Sequence, residues 1–310
     1  MLDALLDRAK TIKPDRIQSK QTVGVVPILG PSFEKPNYRL LKDDVLESVQ
    51  VTEATEGGSV PTLKVENTLD ESVFLMDGQE LVGAKQNRIL NTDVMVPAKS
   101  TITIPVSCVE QGRWHYKGRH FRSGGSAHYS TRRGKSSRVH KSLQQKKAYD
   151  ADQGAVWNEV QMCLSGSSSH SKTAALSAAY QNRQGDLKSF RDSLELPEEA
   201  VGLAVFRGDR FRGLDLFDRH STMSFFWDSL IDSYVIDWIG EPFDANEPAK
   251  SVEESAINDT LQHAGSGEWE SFNSPGEGRD YRLKDHETLC GSALLCEDNV
   301  VVHLQLFPKS

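Results

Sequence analysis

Between residues 101 and 110 the chain alternates. Ile102, Ile104, Val106, Cys108 and Glu110 fall on one side, and Thr101, Thr103, Pro105, Ser107 and Val109 on the other. A period of two belongs to a β-strand with one face against a core. That face ends in a carboxylate. Burying an ionised carboxylate without a partner costs several kcal/mol, so Glu110 must meet a cation such as Arg88 or Arg113, or emerge at a cleft where its pKa is shifted. The surrounding stretch, residues 76–114, adds Glu80, Gln86, Asn87, Arg88, Asn91, Cys108 and Arg113 to its short apolar runs. Polar groups of this variety need partners, so the stretch reads as a site and the rest of the chain as its setting.

The setting follows from the order of the elements. Residues 1–10 read as a short amphipathic helix, since Asp3 and Asp7 interrupt any secretory signal. TVGVVPIL at 22–29 reads as a strand that Pro27 confines to an edge or a bend. Short strands follow at 38–51, 63–67 and 72–76, separated by turn residues. This pattern predicts an N-terminal antiparallel β-sandwich or partly open barrel up to about Trp114. Residues 123–137, SGGSAHYSTRRGKSS, lack large aliphatics and read as a mobile loop. Helical patterns occupy 142–164 (one kinked helix or two short ones), 172–181 and 186–194. Residues 201–218 form a hairpin whose Arg207-Gly208-Asp209 triplet resembles a cell-adhesion motif and reads better as a turn. An apolar run at 224–239 predicts a core helix, Ser251 with Glu254 a capping box, and the chain closes with strands near 268–272, 280–283, 286–295 and 300–307. Strands, then helices, then strands give an α+β fold with a C-terminal antiparallel sheet. The expected organisation is a mainly β part at 1–122, a basic Gly/Ser-rich loop at 123–141 and an α+β part at 142–310, packed together as one unit.

Charge is unevenly distributed. Residues 111–149 contain eleven Lys and Arg and no Asp or Glu, which leaves 25 basic against 44 acidic residues elsewhere, a balance of −19. A basic segment on an acidic body implies an anionic partner or an intramolecular one. Four cysteines without CxxC spacing argue for reduced thiols and a cytoplasmic location. No run suits a membrane span, and no phosphate-binding GxxxxGK[ST] or GxGxxG occurs.

MDGQELVGAKQNR (76–88) and IPVSCVEQGRW (104–114), with DQGAVWNEV (152–160), SKTAAL (171–176), GLAVFRGDRFRGLDLFD (202–218) and HLQLF (303–307), resemble a family of uncharacterised α+β domains named for association with ADP-ribosylglycohydrolases and rhodanese-phosphatases. The resemblance implies a place in NAD and ADP-ribose metabolism, with those two protein classes as candidate partners.

Residue chemistry gives the roles. Glu80 and Glu110 are the candidate acid–base or metal-binding groups. Arg88 and Arg113 could hold an anion bidentately, while Gln86, Asn87 and Asn91 could orient a sugar or base. Trp114 and His115 could stack on a base or ribose. Each has an ordinary alternative: an ion pair, a polar network pinning a turn, or a core aromatic. Cys108 on a β pattern reads as a core filler rather than a nucleophile, and His303 as a satisfied sheet histidine. No His/Cys spacing marks a zinc site. A Mg²⁺ ion held by two hard oxygens and waters would leave little trace in spacing, so the cofactor stays open. The first reading is a domain that binds, and either hydrolyses or transfers, an ADP-ribose-like or other phosphorylated nucleotide. The second is a noncatalytic adaptor whose basic 111–149 segment binds RNA or another anion.

Overall fold

A computed structural model describes residues 2–55, 57–239 and 254–309. The chain opens with α1 (Leu2–Thr11), β1 (Lys13–Pro14), β2 (Gln18–Lys20), β3 (Val23–Leu29), β4 (Tyr38–Leu40), β5 (Val49–Glu53), β6 (Thr62–Asn67) and β7 (Ser72–Leu75). The motif-bearing stretch supplies β8 (Gln79–Gly83), β9 (Arg88–Leu90), β10 (Val94–Val96) and β11 (Ser100–Cys108). β12 (Phe121–Ser126) leads into α2 (Tyr129–Lys146), α3 (Gln153–Gly166), α4 (Leu176–Asn182) and α5 (Gln184–Arg191). The hairpin β13 (Ala200–Arg207) and β14 (Arg210–Phe217), then α6 (His220–Val235) and α7 (Glu254–Ser266), precede β15 (Glu268–Asn273), β16 (Arg279–Lys284), β17 (Leu289–Cys296) and β18 (Val300–Pro308). Ser251 of the expected capping box lies outside the described residues.

The fold is α+β. β11, β6, β5, β12, β8 and β9 close into a barrel, so the sheet expected to be a sandwich or partly open barrel is shut. The alternation in β11 explains its place there: Ile104 and Val106 point into the barrel core with Val51, Leu63, Val65 and Leu81. A small sheet, β10-β7-β4, flanks it, with β4 and β7 parallel.

The remaining strands form one large sheet in the order β1-β3-β13-β14-β18-β17-β16-β15, with β2 also on β3. β3 is therefore interior, not the edge that Pro27 suggested. β2 and β1 cover different ends of it, at residues 23–25 and 28–29, so the missing N–H of Pro27 falls at the junction between them. The sheet carries helices on both faces. On one, Leu203, Val205, Phe217, Val302 and Phe307 pack with residues of α2 to α6. On the other, Ala204, Phe206, Leu304 and Leu306 pack with Leu5 of α1 and with Ile257, Leu261 and Ala264 of α7. Two-sided burial is why β13 reads as a continuous apolar run. Gly208 and Asp209 form the β13–β14 turn, with Arg207 paired to Arg210.

The reading of residues 123–137 as a mobile loop, and of 123–141 as a basic Gly/Ser-rich loop, is overturned. This segment completes β12 and forms the first two-thirds of α2, whose buried positions are Tyr129, Thr131, Arg132, Lys135, Ser136, Val139, Ser142 and Leu143. Their spacing is helical, but several carry charge or hydroxyl instead of hydrocarbon.

That charge is matched. Lys135 pairs with Asp77, and Arg132 with Asp215. His303 bridges Asp93 through Nδ1 at 2.9 Å and Asp215 through Nε2 at 3.2 Å, and its ring stacks on Phe217. Arg282 donates to Asp280 at 2.8 Å and to the Thr92 hydroxyl at 2.7 Å. All these groups are buried. Four carboxylates therefore meet Arg132, Lys135, Arg282 and His303 where the turn after β7, α2 and the large sheet converge. Burial alone would lower the His303 pKa, but Asp93 and Asp215 outweigh it and push it to about 9.

Candidate functional site

β8 runs Gln79, Glu80, Leu81, Val82, Gly83, so period two sends Leu81 into the barrel core and Glu80 and Val82 to the outside. Against that outer face lies α4 with the SKTAAL segment before it. Asn87, between β8 and β9, ties the two together. Its side-chain amide donates to Glu80 Oε1 at 3.1 Å and to Ser177 Oγ at 3.3 Å. Its backbone N–H donates to Glu110 Oε2 at 3.2 Å.

Glu110 leaves the end of β11 and is fully engaged. Oε2 also accepts from Arg113 Nη2 at 2.6 Å, and Oε1 accepts from the Thr173 hydroxyl at 2.9 Å, with Lys117 Nζ at 3.9 Å. The backbone of Glu110 bridges to Ala175. Burial would raise this carboxyl, but the hydrogen bonds from Arg113, Thr173 and the Asn87 N–H outweigh it and hold the pKa below the ordinary value. Glu80 has the opposite fate. Burial pushes it up to about 7 against the single hydrogen bond from Asn87, and the Glu110 charge adds to the rise. Two carboxyls linked through one asparagine are thus held in different protonation regimes.

Gln86 and Arg88 lie behind this pair. Gln86 Nε2 donates to the Glu110 carbonyl at 3.0 Å, and its Oε1 accepts from Arg88 at 3.0 Å and from the Cys108 thiol at 3.2 Å. Arg88 is fully buried, and Arg113 is nearly so. Arg113 donates to the carbonyls of Gly83, Ala84 and His115 as well as to Glu110. Burial raises the Cys108 thiol pKa and keeps it protonated. Gln153 of DQGAVWNEV holds that strand end, exchanging 2.8 Å hydrogen bonds with the Cys108 N–H and carbonyl. Glu80, Gln86, Asn87, Arg88, Glu110 and Arg113 are therefore one connected network. Asn91 is not part of it: it donates to the Tyr149 carbonyl and accepts from Ser107. Trp114 is 47% exposed, with Lys85 over its ring, and His115 is exposed.

In front of the network opens a cleft of about 620 Å³. Asn87 and Glu110 form part of its floor, and the hydroxyl residues Ser171, Thr173 and Ser177 part of its wall. Its rim is cationic. Lys117, Arg119 and Arg122 reach it from the segment between β11 and α2, and Lys172 from the approach to α4, with His120 and His170 beside them. Gly83 lets the rim close down: its φ is +141°, and a Cβ there would stand 2.4 Å from the His120 carbonyl. Sequence reasoning had assigned the anion to Arg88 and Arg113, which face inward. Lys117, Arg119 and Arg122 belong to the basic 111–149 segment that the second reading gives to RNA or another anion, but a run of scattered Lys and Arg gives no sign of which ones the fold turns toward one opening, and nothing singled out Lys172.

Three comparisons with known proteins bear on this geometry. A search of curated proteins and a search of solved structures each find no match. The family model described as the ARG and Rhodanese-Phosphatase-superfamily-associated Protein domain matches residues 11–307. The chain belongs to this family, whose name links it to ARG and to rhodanese-phosphatase-superfamily proteins. The motifs that carried the resemblance fall into two places in the fold. MDGQELVGAKQNR, IPVSCVEQGRW, DQGAVWNEV and SKTAAL build the cleft floor and its support, while the MDG turn, the β13–β14 hairpin and HLQLF build the buried ion network.

Proposed function

We propose that the cleft binds a phosphorylated, ADP-ribose-like nucleotide and that the protein hydrolyses or transfers it. The observation that carries this reading is the charge of the cleft: four side-chain cations surround one ionised carboxylate whose own charge Arg113 already neutralises. Such an opening attracts anions of more than one negative charge, and a diphosphate suits several separated cations better than a single phosphate does. Lys117, Arg119, Arg122 and Lys172 hold the phosphates in this reading. Thr173 and Ser177, whose hydroxyls line the cleft, offer hydrogen bonds to ribose hydroxyls. Glu110, held ionised, is a fixed electrostatic group, whereas Glu80 titrates near neutrality and is matched to moving a proton. The family name supports a setting in ADP-ribose chemistry.

A thermal-shift titration of the purified protein with ADP-ribose, NAD, AMP and inorganic phosphate tests it. A ligand at 100 times its dissociation constant stabilises by about 2.7 kcal/mol, which moves the melting temperature by a few degrees. ADP-ribose should shift it more than AMP, and AMP more than phosphate. No shift with any nucleotide would sink the reading. The exposed rings of Trp114 and Tyr116, interleaved with Lys85 and Lys117, favour a second reading, single-stranded RNA. An oligonucleotide that binds while ADP-ribose does not would establish it.

A further inference from the structure

A second cluster of chemistry-bearing side chains lies outside the cleft network. His128, at the N-terminal cap of α2, Cys163, within α3, and Asp237, just beyond α6, place one ligand atom each within 4.8 Å of one another. His128 and Cys163 are buried. We propose that these three residues bind a divalent transition-metal ion of the zinc class, joining α2, α3 and the end of α6.

Three observations carry the site. The imidazole of His128 is fully buried; one nitrogen, Nε2, lies 3.3 Å from the Thr131 hydroxyl, while Nδ1 has no hydrogen-bond partner among the described residues. A buried ring nitrogen without a partner is costly unless something occupies its lone pair or accepts its proton. The Asp237 carboxylate is also half committed: Oδ2 accepts from the Ser130 N–H at 2.8 Å, capping α2, while Oδ1 faces His128 Nε2 at 4.0 Å. Finally, the donors are a nitrogen, a sulfur and an oxygen, the set that suits zinc and its borderline neighbours. Donor atoms about 2.0–2.3 Å from a tetrahedral ion stand about 3.3–3.8 Å apart, so the present spacing needs only a small contraction.

Charge balance favours the ion as well. On binding, the Cys163 thiol gives up its proton to solvent, and the resulting thiolate and the Asp237 carboxylate together neutralise a dication in a site with little access to water. Three protein ligands leave a fourth position for a water or a further donor. The sequence could not show this, because the ligands stand 35 and 74 residues apart and make none of the short spacings that mark zinc sites.

The test is a titration of the chelator-stripped full-length protein with Co²⁺ alone, followed by displacement with Zn²⁺. The expected result is a thiolate-to-cobalt charge-transfer absorption that saturates near one equivalent and disappears as zinc displaces cobalt, with a higher melting temperature for the loaded protein. Cys163→Ser should abolish the absorption, while Cys108→Ser should keep it. Asp237→Asn retains an oxygen to cap the Ser130 N–H, so it should fold and bind about tenfold or more weakly. Absence of the absorption in the wild-type protein would overturn the proposal. So would its persistence in Cys163→Ser, or an unchanged affinity in Asp237→Asn, which decides the matter if Cys163→Ser does not fold.

Discussion

Arg113 Nη2 stands 2.6 Å from Glu110 Oε2, three residues apart in sequence, with both side chains buried. The pair sits at the end of an apolar strand face, where the alternation of β11 delivers a carboxylate and the next turn delivers its cation. Removing one member of such a pair leaves the other unbalanced, so Arg113→Ala should destabilise the fold by about 3 kcal/mol at pH 7, read by urea denaturation. The sign of its pH dependence is fixed. Because the folded protein holds the Glu110 pKa below 4.5, the contribution of the pair is present above that value and lost as pH falls through the lower, folded one. The deficit should therefore narrow in acid. An equal deficit at pH 7 and pH 3 would mean that Arg113 acts through packing.

Glu80 predicts the reverse trend. Its pKa rises from 4.5 to about 7 on folding, so the folded state keeps a proton that the unfolded chain releases, and stability falls as pH climbs between those values. Glu80→Gln accepts the same Asn87 hydrogen bond without the buried charge. It should match the wild type at pH 4 and exceed it at pH 8 by up to about 3 kcal/mol. If turnover of a nucleotide is found, the same variant should bind it normally and turn it over at least 100-fold more slowly. A variant no more stable than wild type at pH 8 would contradict the raised pKa.

The network around these two carboxylates was largely legible in the sequence, because a polar residue at the end of an alternating strand has few places to go. Glu80, Gln86, Asn87, Arg88, Glu110 and Arg113 do meet. What the sequence hid was orientation: Arg88 turns inward to Gln86, and Arg113 to Glu110, Asn87 and three backbone carbonyls, while the cations that face the opening lie in stretches without periodicity. The helix α2 was hidden for a related reason. A helix is read from an apolar stripe, and here Arg132, Lys135 and Ser136 occupy positions where Leu or Ile would signal burial. The partners of the two charged groups, Asp215 of β14 for Arg132 and the turn residue Asp77 for Lys135, come from far away in the chain. Gly124 and Gly125 beside them sit in β12, where Gly124 lies against Val82 and the Glu80 backbone. Composition thus mimicked a loop.

His303 gives a third prediction. Clamped between Asp93 and Asp215, it has a folded pKa of about 9 against an ordinary 6.5, so its contribution is fully present below pH 6.5 and is lost as pH rises through 9. At pH 7.5 both ring nitrogens should carry protons, visible as two imidazolium-like ¹⁵N shifts. His303→Gln removes that charge and leaves two buried aspartates short of a partner, at a cost of about 3 kcal/mol at neutral pH that shrinks above pH 9. A neutral-imidazole signature at pH 7.5 would refute the doubly bonded, charged form.

The exposed rim residues allow binding to be separated from folding. Arg119 and Lys172 approach the cleft from different segments, and both side chains are exposed, so Arg119→Ala and Lys172→Ala should leave the melting temperature within about a degree of wild type. A charge-assisted hydrogen bond to phosphate contributes about 1.5–3 kcal/mol, so each loss should weaken ADP-ribose binding roughly ten- to a hundredfold. Calorimetric titration measures this directly. Because the rim lies in solvent, wild-type affinity should also fall as salt rises from 50 to 300 mM, and less steeply in the double variant. Excising residues 124–137 is no substitute for these point changes, since the cut removes buried Arg132 and Lys135 and would unfold the protein whichever anion it binds. If both alanine variants bind ADP-ribose as tightly as wild type, the phosphates do not sit at this rim.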